Sequence, residues 1–251
     1  MLEAYVMLQV TDLAKYYNEQ PVFSGFDLHL PANRFQVLLG PSGCGKTTLF
    51  NTLTGVTPKD AGAITWQGET VPHLGDLCAY MHQKDLLLPW FSLMDNALLP
   101  VRTRSGDMTA ARNRAGQLFL RLGLGGYASH RPDQVSGGMR QRCALVRTLM
   151  FDRDLILLDE PLSALDAITR QRHQHLLLLL QTEFTKTILM ITHDVDEALL
   201  LADDIFLLSP MPMAVFRRFS LKLPKPRAFD DSELLHTKAQ ILHHLEKGGV
   251  S

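Results

Sequence analysis

Residues 35–47 restrict this chain more than any other stretch. The largely apolar run Phe35-Gln36-Val37-Leu38-Leu39 has the character of a strand buried on both faces. It leads directly into Gly40-Pro41-Ser42-Gly43-Cys44-Gly45-Lys46-Thr47, with Thr48 beyond. The octet satisfies G-x-x-x-x-G-K-[ST] in full, and a helix is expected to open near Lys46. The chemistry calls for these residue types. Glycines let the backbone turn tightly and aim its N–H groups at phosphate oxygens. The new helix adds the positive end of its dipole. The Lys46 ammonium reaches the outer phosphates, and the Thr47 hydroxyl suits Mg²⁺. Cys44, inside the loop and near a helix start, is either a slightly acidic thiol or a small residue that fits.

Such a loop indicates a nucleoside triphosphate and no more. Kinases, GTPases, helicases and transport ATPases share it, so the distinction has to come from elsewhere in the chain. Asp159 ends the apolar run Leu155-Ile156-Leu157-Leu158 and is followed by Glu160. A carboxylate at the C-terminal end of a buried strand, beside a phosphate loop, stands where a Mg²⁺ ligand belongs. Glu160 is then placed to polarise a water for in-line attack. Upstream, Ser136-Gly137-Gly138 opens a helix containing Arg140, Arg142 and Arg147. A hydroxyl, free backbone N–H groups and a helix dipole make a second anion site there. One nucleotide loop has little use for a second phosphate site in the same chain, but across a dimer the pair makes sense.

Composition bounds the setting. The chain has 251 residues, 46% of them apolar and 20% charged, enough for one sizeable α/β core. A formal net charge of -1 supplies no global field for nucleic acid. Cys44, Cys78 and Cys143 are odd in number and not in metal-like spacing, which suits reduced thiols. The N-terminus carries Glu3 and no basic segment, so no signal peptide is expected. No apolar run is long enough to span a bilayer, so membrane work would need another chain to do the spanning.

Along the chain, Leu8–Val10, Phe26–Leu30, Ala63–Trp66 and Leu77–Met81 are strand-like, with a turn at Pro31-Ala32-Asn33. From about Ser92 to Leu122 the period becomes helical, with Ala115, Leu118, Phe119 and Leu122 on one face and Gly123 as the stop. Leu155–Leu158 and Thr187–Ile191 are again buried-strand runs, each followed by a helix. Asp194 and Glu197 make a capping pair for the second of these helices. Leu176–Leu180 is apolar on all helical faces and is expected to pack under the sheet. His173, His175, His236, His243 and His244 have no ligand spacing and are expected on solvated faces. Leu221–Arg227, with Pro224 and Pro226, reads as an edge or linker, and Asp231–Lys247 as a final helix. The fold class expected is α/β: a P-loop NTPase core with a mainly parallel sheet flanked by helices. An N-terminal antiparallel β region and an inserted helical subdomain complete it. One domain is expected, with 1–84 and 151–210 as a RecA-like core, 85–150 helical and 211–251 a C-terminal extension.

Together these motifs resemble those of the ATP-binding cassette (ABC) family, in the family's order and over nearly the whole chain. Val135-Ser136-Gly137-Gly138-Met139-Arg140-Gln141-Arg142 resembles the family signature, with Met139 in place of the usual glutamine. Methionine cannot make that residue's hydrogen bonds, while the contacts expected of Ser136 and Gly138 survive. Gln83 stands at the Q-loop position, Ser163-Ala164-Leu165-Asp166 at the D-loop and His193 at the switch histidine. Tyr17 is placed to stack on adenine, with Tyr16 as the alternative.

The resemblance implies ATP and Mg²⁺ as cofactors and ATP hydrolysis driving transmembrane transport. Glu160, His193 and Gln83 would be catalytic, His193 contacting the γ-phosphate. Thr47, Gln83 and Asp159 would hold the metal. ATP would lie between Lys46 of one subunit and Ser136 of another in a homodimer. A cassette without fused spanning segments is similar to prokaryotic importer subunits. Those sit on the cytoplasmic face of the inner membrane, bound to integral permease subunits and served indirectly by a periplasmic or lipid-anchored substrate-binding protein. The apolar stretch Leu86-Leu87-Leu88-Pro89-Trp90-Phe91 would receive the permease. That stretch and Glu160–Ala167 resemble the branch serving nitrate, sulfonates, taurine and pyrimidine precursors. The alternative is a non-transport ABC ATPase acting on nucleic acid or ribosomes, whose usual second cassette, coiled coil and zinc modules are not found here.

Overall fold

A computed structural model describes residues 6–104, 106–163, 167–228 and 230–248. The chain runs β1 (Val6–Tyr17), β2 (Gln20–Pro31), β3 (Phe35–Leu39), α1 (Lys46–Thr54), β4 (Ala61–Trp66), β5 (Glu69–Val71) and β6 (Cys78–Met81). Then come α2 (Leu93–Arg102), α3 (Met108–Arg121), α4 (Gly137–Leu149), β7 (Leu155–Asp159), α5 (Ala167–Thr182) and β8 (Thr187–Thr192). It closes with α6 (Val195–Leu201), β9 (Asp204–Leu208), β10 (Val215–Ser220) and α7 (Ser232–Gly248).

Two sheets form. Strands in the order β10-β9-β3-β8-β7-β6 make the larger one, parallel throughout except for β10. β2-β1-β4-β5 make an antiparallel sheet. The central strands are apolar without alternation because they feed two cores. Phe35, Val37 and Leu39 of β3 join Ile156 and Leu158 of β7 in a core with α2 to α6. Leu38, Leu155 and Leu157 point the other way, into a core shared with α1 and the antiparallel sheet. Successive side chains of a strand face opposite sides, so a strand covered on both must be apolar at every position.

Between β6 and β7 the chain is helical. α2 is capped by Ser92, whose hydroxyl accepts from Asp95 N, and α3 by Asp107. Gly123 stands past the end of α3 with φ +67°, a conformation glycine adopts without strain. Leu176, Leu177 and Leu180 of α5 are buried under the sheet.

Several expectations are corrected. The boundary at Pro210 falls ahead of β10, which pairs with β9 and belongs to the sheet. β10 escaped notice because an edge strand bearing Arg217 and Arg218 has no apolar alternation. It is pinned from below by buried Asp204, which accepts from Arg218 and from Ser220 Oγ. Of the two alternatives for residues 221–227, the linker holds: they lie outside any strand, and Arg227 donates to Leu199 O and Ala202 O at the end of α6. Of the pair at the start of α6, Asp194 caps as expected, but Glu197 turns to the Thr192 hydroxyl at 2.7 Å. His173 is buried rather than solvated.

Candidate nucleotide site

The phosphate loop joins β3 to α1 at the C-terminal end of the parallel sheet. Gly45 has φ +112°, and a Cβ there would meet Val22 Cγ1 at 2.5 Å, so both conformation and space demand glycine. At Gly40 a Cβ would lie 2.9 Å from Leu208 Cβ, which fixes the loop against the end of β9. Pro41, Ser42 and Gly43 are exposed at the loop's tip. The Lys46 ammonium donates to Gly40 O and Pro41 O at 2.8 and 2.7 Å. Thr48 follows Thr47 in the first turn of α1. Cys44 is buried, and burial pushes its thiol up although the Lys46 charge pulls the other way. This direction is opposite to the one the acidic-thiol alternative requires. Burial likewise pushes Cys78 and Cys143 up to about 12.

Asp159 ends β7, 1% exposed. Its Oδ2 accepts from Thr47 Oγ1 at 2.9 Å, and the Tyr80 hydroxyl lies at 3.4 Å. Burial raises its carboxyl, and the neighbouring Glu160 charge adds to that. The Thr47 hydrogen bond and Lys46 oppose it. A buried carboxylate beside a hydroxyl and an ammonium, with only oxygen ligands at hand, suits a hard cation such as Mg²⁺. Among the described residues no group of three or more His, Cys, Asp and Glu forms a metal cluster.

Glu160 is held from every side. Its φ is +46°, unusual for a residue with a side chain. Its N–H donates to Ile191 O, and its carbonyl accepts from Gln141 Nε2 and Ser163 Oγ. Its carboxylate is clamped by Gln83 Nε2 at 3.1 Å and by His193 Nδ1 at 3.2 Å. Strained backbone persists where surrounding contacts over-determine it, and such places cluster at functional sites. Three loops at the ends of β6, β7 and β8 thus meet on one carboxylate.

Ser136 caps α4, accepting from Met139 N at 3.3 Å, with Gly137 opening the helix and Gly138 next. Its hydroxyl is exposed and makes no hydrogen bond to residues 40–48 among the described residues. Met139 packs its side chain, partly buried, against the core. Tyr17 is 52% exposed with Lys15 Nζ over its ring, whereas Tyr16 is tied to Ser24 Oγ at 2.9 Å. Asp166 lies outside the described residues. The sequence gives no role to Tyr80, and none to Gln141 and Ser163 beyond their places in the signature and D-loop stretches. Gln141 sits one turn after Gly137, on the face of α4 that meets the end of β7, and that spacing was its available signal.

The stretch after Gln83 is rigidly held. Asn96 exchanges hydrogen bonds with Leu88 N and Leu88 O, and Arg147 donates to Asp85 O and Leu86 O. Leu87 is thereby buried while Leu86 and Trp90 are 52% and 65% exposed.

A phosphate loop, a buried carboxylate and a clamped glutamate on a parallel sheet define the class of P-loop ATPases. Residues 23–163 match the ABC transporter family, and the chain belongs to it. A taurine import ATP-binding protein, TauB, of Yersinia pestis bv. Antiqua (strain Antiqua) is 40% identical over 215 residues, 86% of this chain and 84% of that one. The dimeric bacterial ABC transporter cassette MJ0796 superposes with a TM-score of 0.79 at 26% identity, covering 87% of this chain and all of that one. The same cassette bound to ADP and Pi in a post-hydrolysis state gives 0.78, also at 26% identity and with the same coverage. The chain is accordingly an ATP-binding and ATP-hydrolysing cassette.

Proposed function

We propose that this cassette energises the import of a small solute, with closure of a homodimer on ATP driving integral membrane permease subunits. The observation that carries the catalytic part is the Glu160 carboxylate held between Gln83 and His193 at the mouth of the phosphate loop. In this reading Glu160 takes the proton of the attacking water, and His193 and Gln83 fix its orientation and that of the γ-phosphate. Lys46 and the loop N–H groups bind the phosphates, and Tyr17 stacks on adenine. Thr47, Asp159 and Gln83 would hold Mg²⁺, which would neutralise charge on the phosphate oxygens. Ser136, Gly137 and Gly138 present their exposed anion site to the nucleotide of the partner subunit, with Asp166 lining the same interface. Closure follows because ATP binds the closed dimer better.

Import is favoured by the relative's name, and among the described residues no helix is long and apolar enough to cross a membrane. The permease then docks on the fixed, exposed Leu86 and Trp90, which places the cassette peripherally on the inner face of the membrane. A separate substrate-binding protein acts at one remove. A sulfonate such as taurine is the solute this relative suggests. The helical segment 85–150 would carry both the docking stretch and the signature.

The test is a pull-down of tagged Glu160→Gln from detergent-solubilised cells, with partners identified by mass spectrometry. Recovery of a multi-spanning membrane protein is expected. Recovery of ribosomes or nucleic acid without one would overturn the transport reading.

A further inference from the structure

A cavity lies at the other end of β7 from the candidate nucleotide site. It sits at the N-terminal end of β7, whereas Asp159 and the phosphate loop are at the C-terminal end. Its volume is 170 Å³. A water needs roughly 10–15 Å³ on this measure, so the space suits a small organic molecule better than one or two waters. The floor is apolar, formed by Leu118, Leu149, Ile156 and Leu180. Four cations stand around it: Arg114, Arg121, Arg153 and Lys186. None of its lining residues is acidic.

Three of these cations already have carboxylate partners. Arg114 pairs with Asp152, Lys186 with Asp154 and Asp152, and Arg121 with Glu183 at 4.0 Å. Those carboxylates are well exposed, so their neutralising effect is weakened by water. Arg153 differs. Among the described residues it has no ion-pair partner, and its Nε is buried without a hydrogen-bond acceptor. An arginine that lines a cavity with no carboxylate beside it can offer its guanidinium fork to a carboxylate or sulfonate, whose oxygens match it.

We infer that this cavity is a binding site for a small organic monoanion with an apolar tail, an alkyl sulfonate or carboxylate. The head group would pair with Arg153 under the combined field of Arg114, Arg121 and Lys186, and the tail would displace water from the leucine and isoleucine floor. The site's two walls come from different layers. Arg114, Leu118 and Arg121 are on α3 and Leu149 on α4, while Ile156 is on β7 and Leu180 on α5. A bound anion would therefore join the helical segment to the sheet core.

Calorimetric titration of the full chain with hexanesulfonate tests it, with sulfate and hexanol as separate arms that carry the head or the tail alone. Saturable binding of hexanesulfonate is expected, with both partial probes weaker by about tenfold or more. Arg153→Gln should weaken hexanesulfonate by about tenfold or more while keeping ATP hydrolysis, which certifies its fold. Leu118→Phe, which fills the floor without touching a charge, should also weaken it. Equal affinity in wild type and Arg153→Gln would overturn the proposal. So would sulfate binding as tightly as hexanesulfonate, or no saturable binding at millimolar ligand.

Discussion

His193 Nδ1 lies 3.2 Å from Glu160 Oε1, on the opposite side of the carboxylate from Gln83 Nε2. The histidine side chain is 55% exposed and the glutamate 13%, so a largely buried carboxylate is held by a group that remains open to solvent. Glu160→Gln keeps the shape and removes the carboxylate charge proposed to act as base. It should bind ATP normally and lose about 10²–10⁴-fold in turnover, as measured by single-turnover hydrolysis. His193→Ala should also lose turnover with little change in nucleotide affinity. A wild-type rate in Glu160→Gln would remove the glutamate from the chemistry.

Asp159 carries a stability cost at neutral pH. Its carboxyl is raised by burial and by the Glu160 charge, so the folded state binds that proton more tightly than the unfolded chain does. The stability this lends is present at low pH and is lost as pH rises through the folded value. Asp159→Asn should therefore be more stable than wild type at neutral pH, by about 1 kcal/mol. The gap should narrow toward about pH 4. Urea denaturation of the nucleotide-free proteins at several pH values measures it. Hydrolysis by the variant should collapse.

Lys225 offers a separate pH signature. Burial pulls its ammonium down to about 8, against the pull of Asp203 at 2.8 Å. The folded state thus holds this proton less tightly than the unfolded chain, and the cost is present below about 8. Stability contributed at this position rises with pH from about 8 toward the ordinary lysine value. Titration of the ¹³Cε resonance should show a midpoint near 8. A midpoint at the ordinary lysine value would refute the burial argument.

Gly45 admits no side chain. With φ +112° and Val22 Cγ1 2.5 Å from a virtual Cβ, Gly45→Ala must distort the loop or displace β2. A loss of about 1–2 kcal/mol or more is expected from the conformation alone. ATP binding should vanish with it, readable by fluorescent nucleotide titration. Gly43→Ala, where nothing stands within 4 Å, should cost less, since only its positive φ resists the change.

Much of the core was legible because burial on two faces leaves an unbroken apolar run. Phe35–Leu39, Leu155–Leu158 and Thr187–Ile191 could hardly be anything but central strands once a phosphate loop followed the first. β10 was not legible. Its place at the edge depends on Asp204, whose pairing with Arg218 and Ser220 is made only when the strands lie side by side. His173 was misjudged for a related reason, since a polar residue on a helix gives no sign of which face the sheet will cover.

The sequence by itself determined the chemistry available: glycines that can expose N–H groups, a lysine and a threonine at fixed spacing, and an Asp-Glu pair at a strand end. Those are local demands, written within a few residues of one another. Tertiary structure decided what the chemistry acts on. It brought Gln83, Glu160 and His193 from three loops onto one carboxylate, bent Glu160 to φ +46°, and buried Asp159 until its proton was held more tightly. Among the described residues it also left Arg153 Nε without an acceptor, beside an apolar floor. Distances across strand ends, and the low dielectric that gives charges their weight, arise only when the sheet is assembled.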